Sequence, residues 1–428
     1  MTATSGKAFS RDVWLPALGG LVALVPLVVW HRLFFALFWF GDEFDLIDQI
    51  DRVGFGPWTW QVFAENFVPL FKLLWGGAVF AFQGSYPAMI ALVWLTHAVN
   101  VYLLGRLMRV AGFSWTAVLM AQVVFGLSPT NIETLGWSVQ WSAVLATSFM
   151  VAAFLTFIKA SQVGGAGTSS TVSILLSSLA SAWSFSRGVL TGACLVLGCL
   201  LTRTPSLVLR GLRALLWLSP AVLTALLIAT FARGNHEHLA GHGAEMLHYA
   251  LCFFCLNPLR DSLGWGSVGW TAIAGLGAVK LAVIGWGLWR GRGDQRTVML
   301  LLLAYDLGNA VLLGIGRFHT GYETSTSSRY QYSSLVAVLP FVGFAVADLI
   351  GHLPRRFRSL ATAALIAATA IGVGRGWPEA AGPFCDSRGG ESRRVLLGSA
   401  QPGPYAVPGI PFMTTERGRE LIAKYHLH

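Results

Sequence analysis

The chain has 428 residues, 54% of them hydrophobic and only 12% charged, with a mean hydropathy of +0.61. Soluble domains carry about 25% charged residues, so the composition excludes an ordinary soluble fold. Repeated apolar runs of about 20 residues point to an all-α polytopic membrane protein instead. The net charge of +10 is explained by Lys and Arg gathering on cytoplasmic loops, and no nucleic-acid partner is expected. The ~10-residue alternation of a β-barrel is missing.

The first apolar run, 14–38, has no small-residue cleavage site after it, so it is expected to stay as a helix. It stops at Gly41, and Asp42, Glu43, Asp45, Asp48 and Asp51 follow at once. Trp58 and Trp60 come next, at expected headgroup depth. The segment 67–83, FVPLFKLLWGGAVFAFQ, is short and holds Pro69, Lys72 and two glycines. Further spans are expected at 86–105, 114–128, 138–158, 169–184, 188–202, 212–231, 266–289, 297–316, 331–351 and 359–375, about eleven in all.

Basic residues choose the topology. If 67–83 lies in the interface as an amphipathic helix and the N-terminus (Lys7, Arg11) is inside, every later basic cluster also falls inside. These are Arg106/Arg109, Lys159, Arg203/Arg210/Arg213, Arg290/Arg292/Arg296 and Arg355/Arg356/Arg358. If 67–83 spans, they all move outside, against the positive-inside rule. The sequence therefore divides into a transmembrane module, 1–375, with a first outer loop at 41–85, and a short outer tail, 376–428. Cys385 in that tail is expected to react with an impermeant thiol reagent. The other cysteines, Cys194, Cys199, Cys252 and Cys255, lie in apolar runs, which argues against a disulfide framework.

Polar groups converge on the outer side. The loop SPTNIETLGWSVQW supplies Asn131 and Glu133, and GRFHTGYETSTSSRYQY supplies Arg317, His319, Arg329 and Tyr330. No nucleotide is supplied on that side, so a transferase there needs a donor carried in the lipid. Such a reaction needs a carboxylate to take the acceptor proton, and Asp42 or Glu43 could serve. It also needs cations for the departing phosphate, and Arg matches phosphate geometry. Arg329, Arg317 and Arg187 are the candidates, with Tyr330 alongside and Lys72 as a further cation. Asn131 and Glu133 are candidates for acceptor contact. Arg32, deep in the first run beside His31, either snorkels outward or helps hold phosphate.

Other polar groups have simpler expected roles. Asp45, Asp48 and Asp51 read as the polar face of an amphipathic stretch. Lys280 and Asp306, at similar depth in consecutive spans, suggest an ion pair. His97 and Asn100 suggest bonds between helices. NHEHLAGHGAEMLH offers His236, His238 and His242 as weak metal ligands, but no standard metal spacing appears, so no metal or other cofactor is expected to be required.

The acidic pair after helix one, "ENFVPLFKLL" (Glu65 to Leu74), "LSPTNIETLGW" (Leu127 to Trp137) and "SRYQYSSLVAVLP" (Ser328 to Pro340) occur in that order. Together they resemble the GT-C superfamily of membrane glycosyltransferases, which includes protein O-mannosyltransferases and aminoarabinose transferases. The resemblance covers most of residues 10–350. It implies a dolichyl- or undecaprenyl-phosphate sugar donor, an acceptor on glycan, lipid or protein, and inversion at the anomeric carbon. It puts the catalytic base on Asp42, with Glu43 second. The expected location is a bacterial inner membrane, with the site on its periplasmic face. Two alternatives stand beside it: an O-antigen polymerase or ligase, which would lean on outer-loop arginines, and a transporter or flippase. The latter calls for inverted repeats, and none is visible.

Overall fold

The computed structural model describes residues 11–63, 66–202, 207–231, 241–259, 270–386, 390–398, 406–407 and 410–428. The chain is almost entirely helical. The first apolar run is not one helix but three pieces, α1 (Arg11–Val22), α2 (Val25–Val29) and α3 (His31–Phe34). Pro26 sits in the first turn of α2, where proline is tolerated because its missing N–H has no partner there. The break just before it is the cost of that placement. The expected single span 14–38 is corrected accordingly.

The acidic stretch then forms its own helix, α4 (Asp42–Val53), followed by α5 (Phe55–Thr59) and α6 (Pro69–Ala81). Gly41, at φ 58°, turns the chain into α4. Long helices follow: α7 (Tyr86–Val110), α8 (Trp115–Leu127), the short α9 (Ile132–Gly136), α10 (Trp141–Gln162), α11 (Thr168–Ser184), α12 (Leu190–Leu201) and α13 (Leu207–Phe231). Beyond them are α14 (Gly243–Leu256), α15 (Trp270–Arg290), α16 (Gly293–Arg317), α17 (Ser328–Gly351) and α18 (Arg355–Arg375). Among the described residues, seven helical stretches are long and apolar enough to cross a membrane.

The connections gather at two ends of the bundle. At one, Gln162 donates to Val110 O, Gln295 donates to Gly112 O, and Arg290 pairs with Asp348. This end carries the basic clusters. The other end is rich in loops and holds α4–α6, α9 and the turn 318–327.

Helix α14 was not among the expected spans; its first residues read as loop. It is 14 residues long and apolar, and its last carbonyls are capped from inside the bundle. Lys280 donates to Phe254 O at 2.7 Å and Asn257 O at 3.0 Å, and pairs with Asp306 at 2.6 Å. A cation at a helix C-terminus complements its dipole. Both charges are fully buried, so the expected ion pair is present, and its ammonium also closes a helix. His97 and Asn100 likewise bond across helices, both to the Tyr332 hydroxyl at 2.9 Å.

The C-terminal segment is folded, not loose. After α19 (Trp377–Cys385) and α20 (Glu391–Leu397), a hairpin of β1 (Ala406–Val407) and β2 (Ile410–Thr414) leads into α21 (Thr415–Tyr425). Trp377 is buried against Trp30, Phe34 and Trp94 and donates to Leu127 O. Cys385 is only 9% exposed. The expected thiol labelling there is therefore corrected: Cys385 ends α19, which packs on α3 and α9, and is buried there.

Helix α21 docks on α4 through charge. Arg417 bridges Asp48 at 2.8 Å and Asp51 at 2.6 Å, and Lys424 and Tyr425 also reach Asp51. The last residue closes the contact, as Tyr86 N donates to His428 O and His428 N to Gly84 O. Asp48 and Asp51 thus form a polar helix face with a fixed partner. Although partial burial opposes it, hydrogen bonds from Lys424 and Arg417 hold the Asp51 carboxyl down to about 2. A depressed carboxyl stabilises the fold above its unfolded value near 4, and that stability is lost as pH falls towards 2. Arg417→Ala should loosen α21 by about 1.5–3 kcal/mol, the worth of a hydrogen bond to a charged group. Hydrogen exchange should then rise across residues 410–428 and stay unchanged in α7. Unchanged protection of α21 would mean that the charge pairs do not hold it.

Candidate functional site

Glu43 and Asp42 are neighbours with opposite surroundings, because successive residues on a helix point about 100° apart. Glu43 is fully buried. Its Oε2 accepts from Phe40 N at 2.9 Å, and its Oε1 from Tyr86 Oη at 3.0 Å, Ser138 N at 3.0 Å and Ser138 Oγ at 2.5 Å. The bond back to Phe40 resembles half of a capping box. The others tie α4 to α7 and to the second loop. A carboxyl so enclosed cannot reach an acceptor, so the sequence-based candidacy of Glu43 as a base is corrected to that of a staple. Burial pushes it up to about 8, against the pull of its Ser138, Phe40 and Tyr86 donors.

Asp42 is exposed. It opens α4, where the helix dipole favours an anion, and it does not end the first helix as expected. One turn on, the half-buried Asp45 accepts from Gln49 at 2.9 Å. Its pKa is raised, first by burial and then by the charges of Asp42 and Asp48.

Arg329 starts α17. Its side chain is 31% exposed and lies 3.6 Å from Glu133, while its backbone N–H donates to the same carboxylate at 3.2 Å. The guanidinium stands over the Tyr330 ring and within the field of Asp42. Two sequence-predicted residues therefore meet, Glu133 and Arg329, and Asp42 lies within electrostatic reach of the arginine. Ser328 Oγ, which donates to Thr130 O, and Thr134 Oγ1, which donates to Arg329 O, lock the second loop to the start of α17.

Arg187 lies in the short turn 186–189 between α11 and α12 and is 3% exposed. One nitrogen donates to Ser333 Oγ at 3.1 Å, which also receives Asn309. Its Nε and second Nη atoms are buried without a partner, and so is Arg329 Nε. Tyr305, Tyr330 and Tyr332 surround Arg187, so Tyr330 lies near both arginines. Among the described residues no carboxylate balances Arg187. A buried charge with unfilled donors costs several kcal/mol.

The remaining candidates lie elsewhere. Lys72 is fully buried and donates to Trp58 O and Gln61 O, both at 3.0 Å. This arrangement pins α6 to α5 and removes Lys72 as a phosphate ligand. Asn131 is buried and donates to Phe125 O, so it shapes the loop. Arg317 is exposed at the end of α16, near Tyr249. Arg32 is exposed on α3. His236 and His238 lie outside the described residues, while His242 stacks on Phe318 and sits 3.5 Å from Glu245. Among the described residues no three potential ligands come together for a metal. Sequence reasoning missed Ser333, Asn309 and Tyr305 around Arg187, because only the fold brings α16 and α17 to that turn.

No protein-family model matches the chain, and no curated protein matches it.

The Glu43 staple makes a test. The stability contributed by its neutral carboxyl is full below about 4.5 and is lost as pH rises through about 8. The melting temperature of the wild type should therefore fall relative to Glu43→Gln between pH 5 and pH 9. A constant difference across that range would contradict burial as the dominant influence on this carboxyl.

Proposed function

We propose that this chain is an integral membrane glycosyltransferase of the GT-C type, moving one sugar from a polyprenyl-phosphate donor to an acceptor hydroxyl. The observation that carries this reading is Arg187, a buried cation with two donor nitrogens unfilled. A lipid-borne phosphate would fill them in bidentate fashion, with Arg329 closing from the loop side. Asp42 takes the acceptor proton as the acceptor oxygen bonds to the anomeric carbon. The bond from that carbon to the phosphate oxygen breaks on the opposite side, so the configuration inverts. The departing phosphate keeps the electron pair and stays with the arginines. Glu133 holds Arg329 in place. No metal is required, since the arginines carry the charge.

In this reading eleven segments span, with the broken α1–α3 counted as one. Helices α6 and α14 enter from the loop-rich end without crossing. That end faces the periplasm or cell exterior, because the other end holds the basic clusters. The membrane is then a bacterial inner membrane. A polymerase or ligase acting on lipid-linked glycans shares the arginines, and the contribution of Asp42 separates the two.

Three measurements test this. Asp42→Asn should keep the fold and lower single-turnover sugar transfer about a hundredfold or more; a near-normal rate would favour the arginine-led alternative. Arg187→Met should abolish donor binding and raise the melting temperature of the donor-free protein, since removing an unbalanced buried charge stabilises by about 1–4 kcal/mol. A lower melting temperature with intact donor binding would make Arg187 structural. For topology, Glu416→Cys should react with an impermeant maleimide in intact cells, and Val163→Cys only after lysis. The reverse pattern would place the site in the cytoplasm.

A further inference from the structure

A cavity of about 780 Å³ lies at the basic end, at the opposite end of α12 from Arg187. It is walled by the ends of α10 and α12, the starts of α13 and α16 and the connector residues Gly164, Gly165 and Ala166. Three guanidiniums line it, those of Arg210, Arg213 and Arg296, against one carboxylate, Asp294. Asp294 already accepts from Gln162 at 2.8 Å. The wall therefore carries a surplus of positive charge. Trp217 also contributes to it, and its indole N–H is buried without a partner, the side chain being 3% exposed. A donor left unsatisfied in a cationic wall suits an anionic oxygen, since an unmet buried donor is costly.

The lining also holds the hydroxyls of Ser161, Thr202 and Thr297 and an apolar part formed by Phe157, Leu201 and Leu300. Leu201 is 41% exposed, and Leu212 and Leu215, beside Arg213, are 60% and 67% exposed. Hydrocarbon-facing surface thus runs up to the rim of the cavity. A free phosphate would use the arginines and leave this wall bare. A lipid phosphate uses both.

We propose that this cavity binds the phosphate headgroup of an anionic glycerophospholipid from the adjacent leaflet, with one acyl chain leaving past Leu201. The site is separate from the transferase reading and does not depend on it. Arg213 and Arg296, from α13 and α16, clamp the phosphate between two helices, and the Trp217 N–H completes the set. A bound lipid would then brace α13 against α16.

The test uses the purified full chain in a neutral detergent, with phosphatidylglycerol, phosphatidylcholine and inorganic phosphate as separate additions. Phosphatidylglycerol should raise the melting temperature saturably, and the other two should not. In the double variant Arg213→Gln, Arg296→Gln the apparent affinity for phosphatidylglycerol should fall about tenfold or more. Arg356→Gln, in the exposed basic cluster at the start of α18, serves as control and should leave it unchanged. Should the double variant fail to fold, Trp217→Phe offers a milder probe, with a several-fold loss expected. Equal protection of wild type and variants would overturn the proposal, reducing the effect to general surface charge. Equal protection by inorganic phosphate would overturn the lipid assignment.

Discussion

Everything at the loop-rich end hangs on the buried carboxyl of Glu43. It touches the end of the first apolar run at Phe40, the start of α7 at Tyr86, and the second loop at Ser138. These three segments are far apart in sequence, and none of them could be placed by local propensity alone. A carboxyl oxygen accepts two bonds or more in fixed directions, so it sets the position of α4 and the direction of its first turn. Asp42 is exposed because Glu43 is not: rotation along the helix puts the neighbouring residue outward.

The acidic cluster therefore divides its work by helix phase. Glu43 faces inward and joins three segments. Asp48 and Asp51 face the C-terminal helix and are neutralised by Arg417 and Lys424. Asp42 and Asp45 lie on the remaining face, with Arg329 in the field of Asp42. The cations divide likewise. Lys72 and Lys280 hold backbone carbonyls, whereas Arg187 is buried with empty donors. The difference matters chemically. A buried cation whose donors are met offsets part of its desolvation cost, and one whose donors are not met bears that cost in full.

Hydropathy made most helices legible, because crossing segments must be apolar throughout. It could not show that the first run is broken, since Pro26 is compatible with both a helix start and a bent span. Nor did it reveal α14, whose 14 residues are too few for a span and whose closing group, Lys280, comes from another helix. The pairing of Arg329 with Glu133 was legible only as two charges in two loops. The resemblance ranked Asp42 before Glu43, but the enclosure of Glu43 was not legible in the residues. Both are acids at the same boundary, and only tertiary contacts decide which is enclosed. The docking of α21 was equally hidden, since Arg417 and Asp51 are separated by most of the chain.

The transferase proposal requires the unfilled donors of Arg187 to receive a lipid phosphate. The direct measurement is an experimental structure of the full chain with an undecaprenyl phosphate bound. Phosphate density should lie within about 3 Å of the Arg187 guanidinium, with Arg329 on its other side and the prenyl chain leaving between helices. Phosphate density elsewhere, with water or a protein acceptor filling the Arg187 donors, would contradict it.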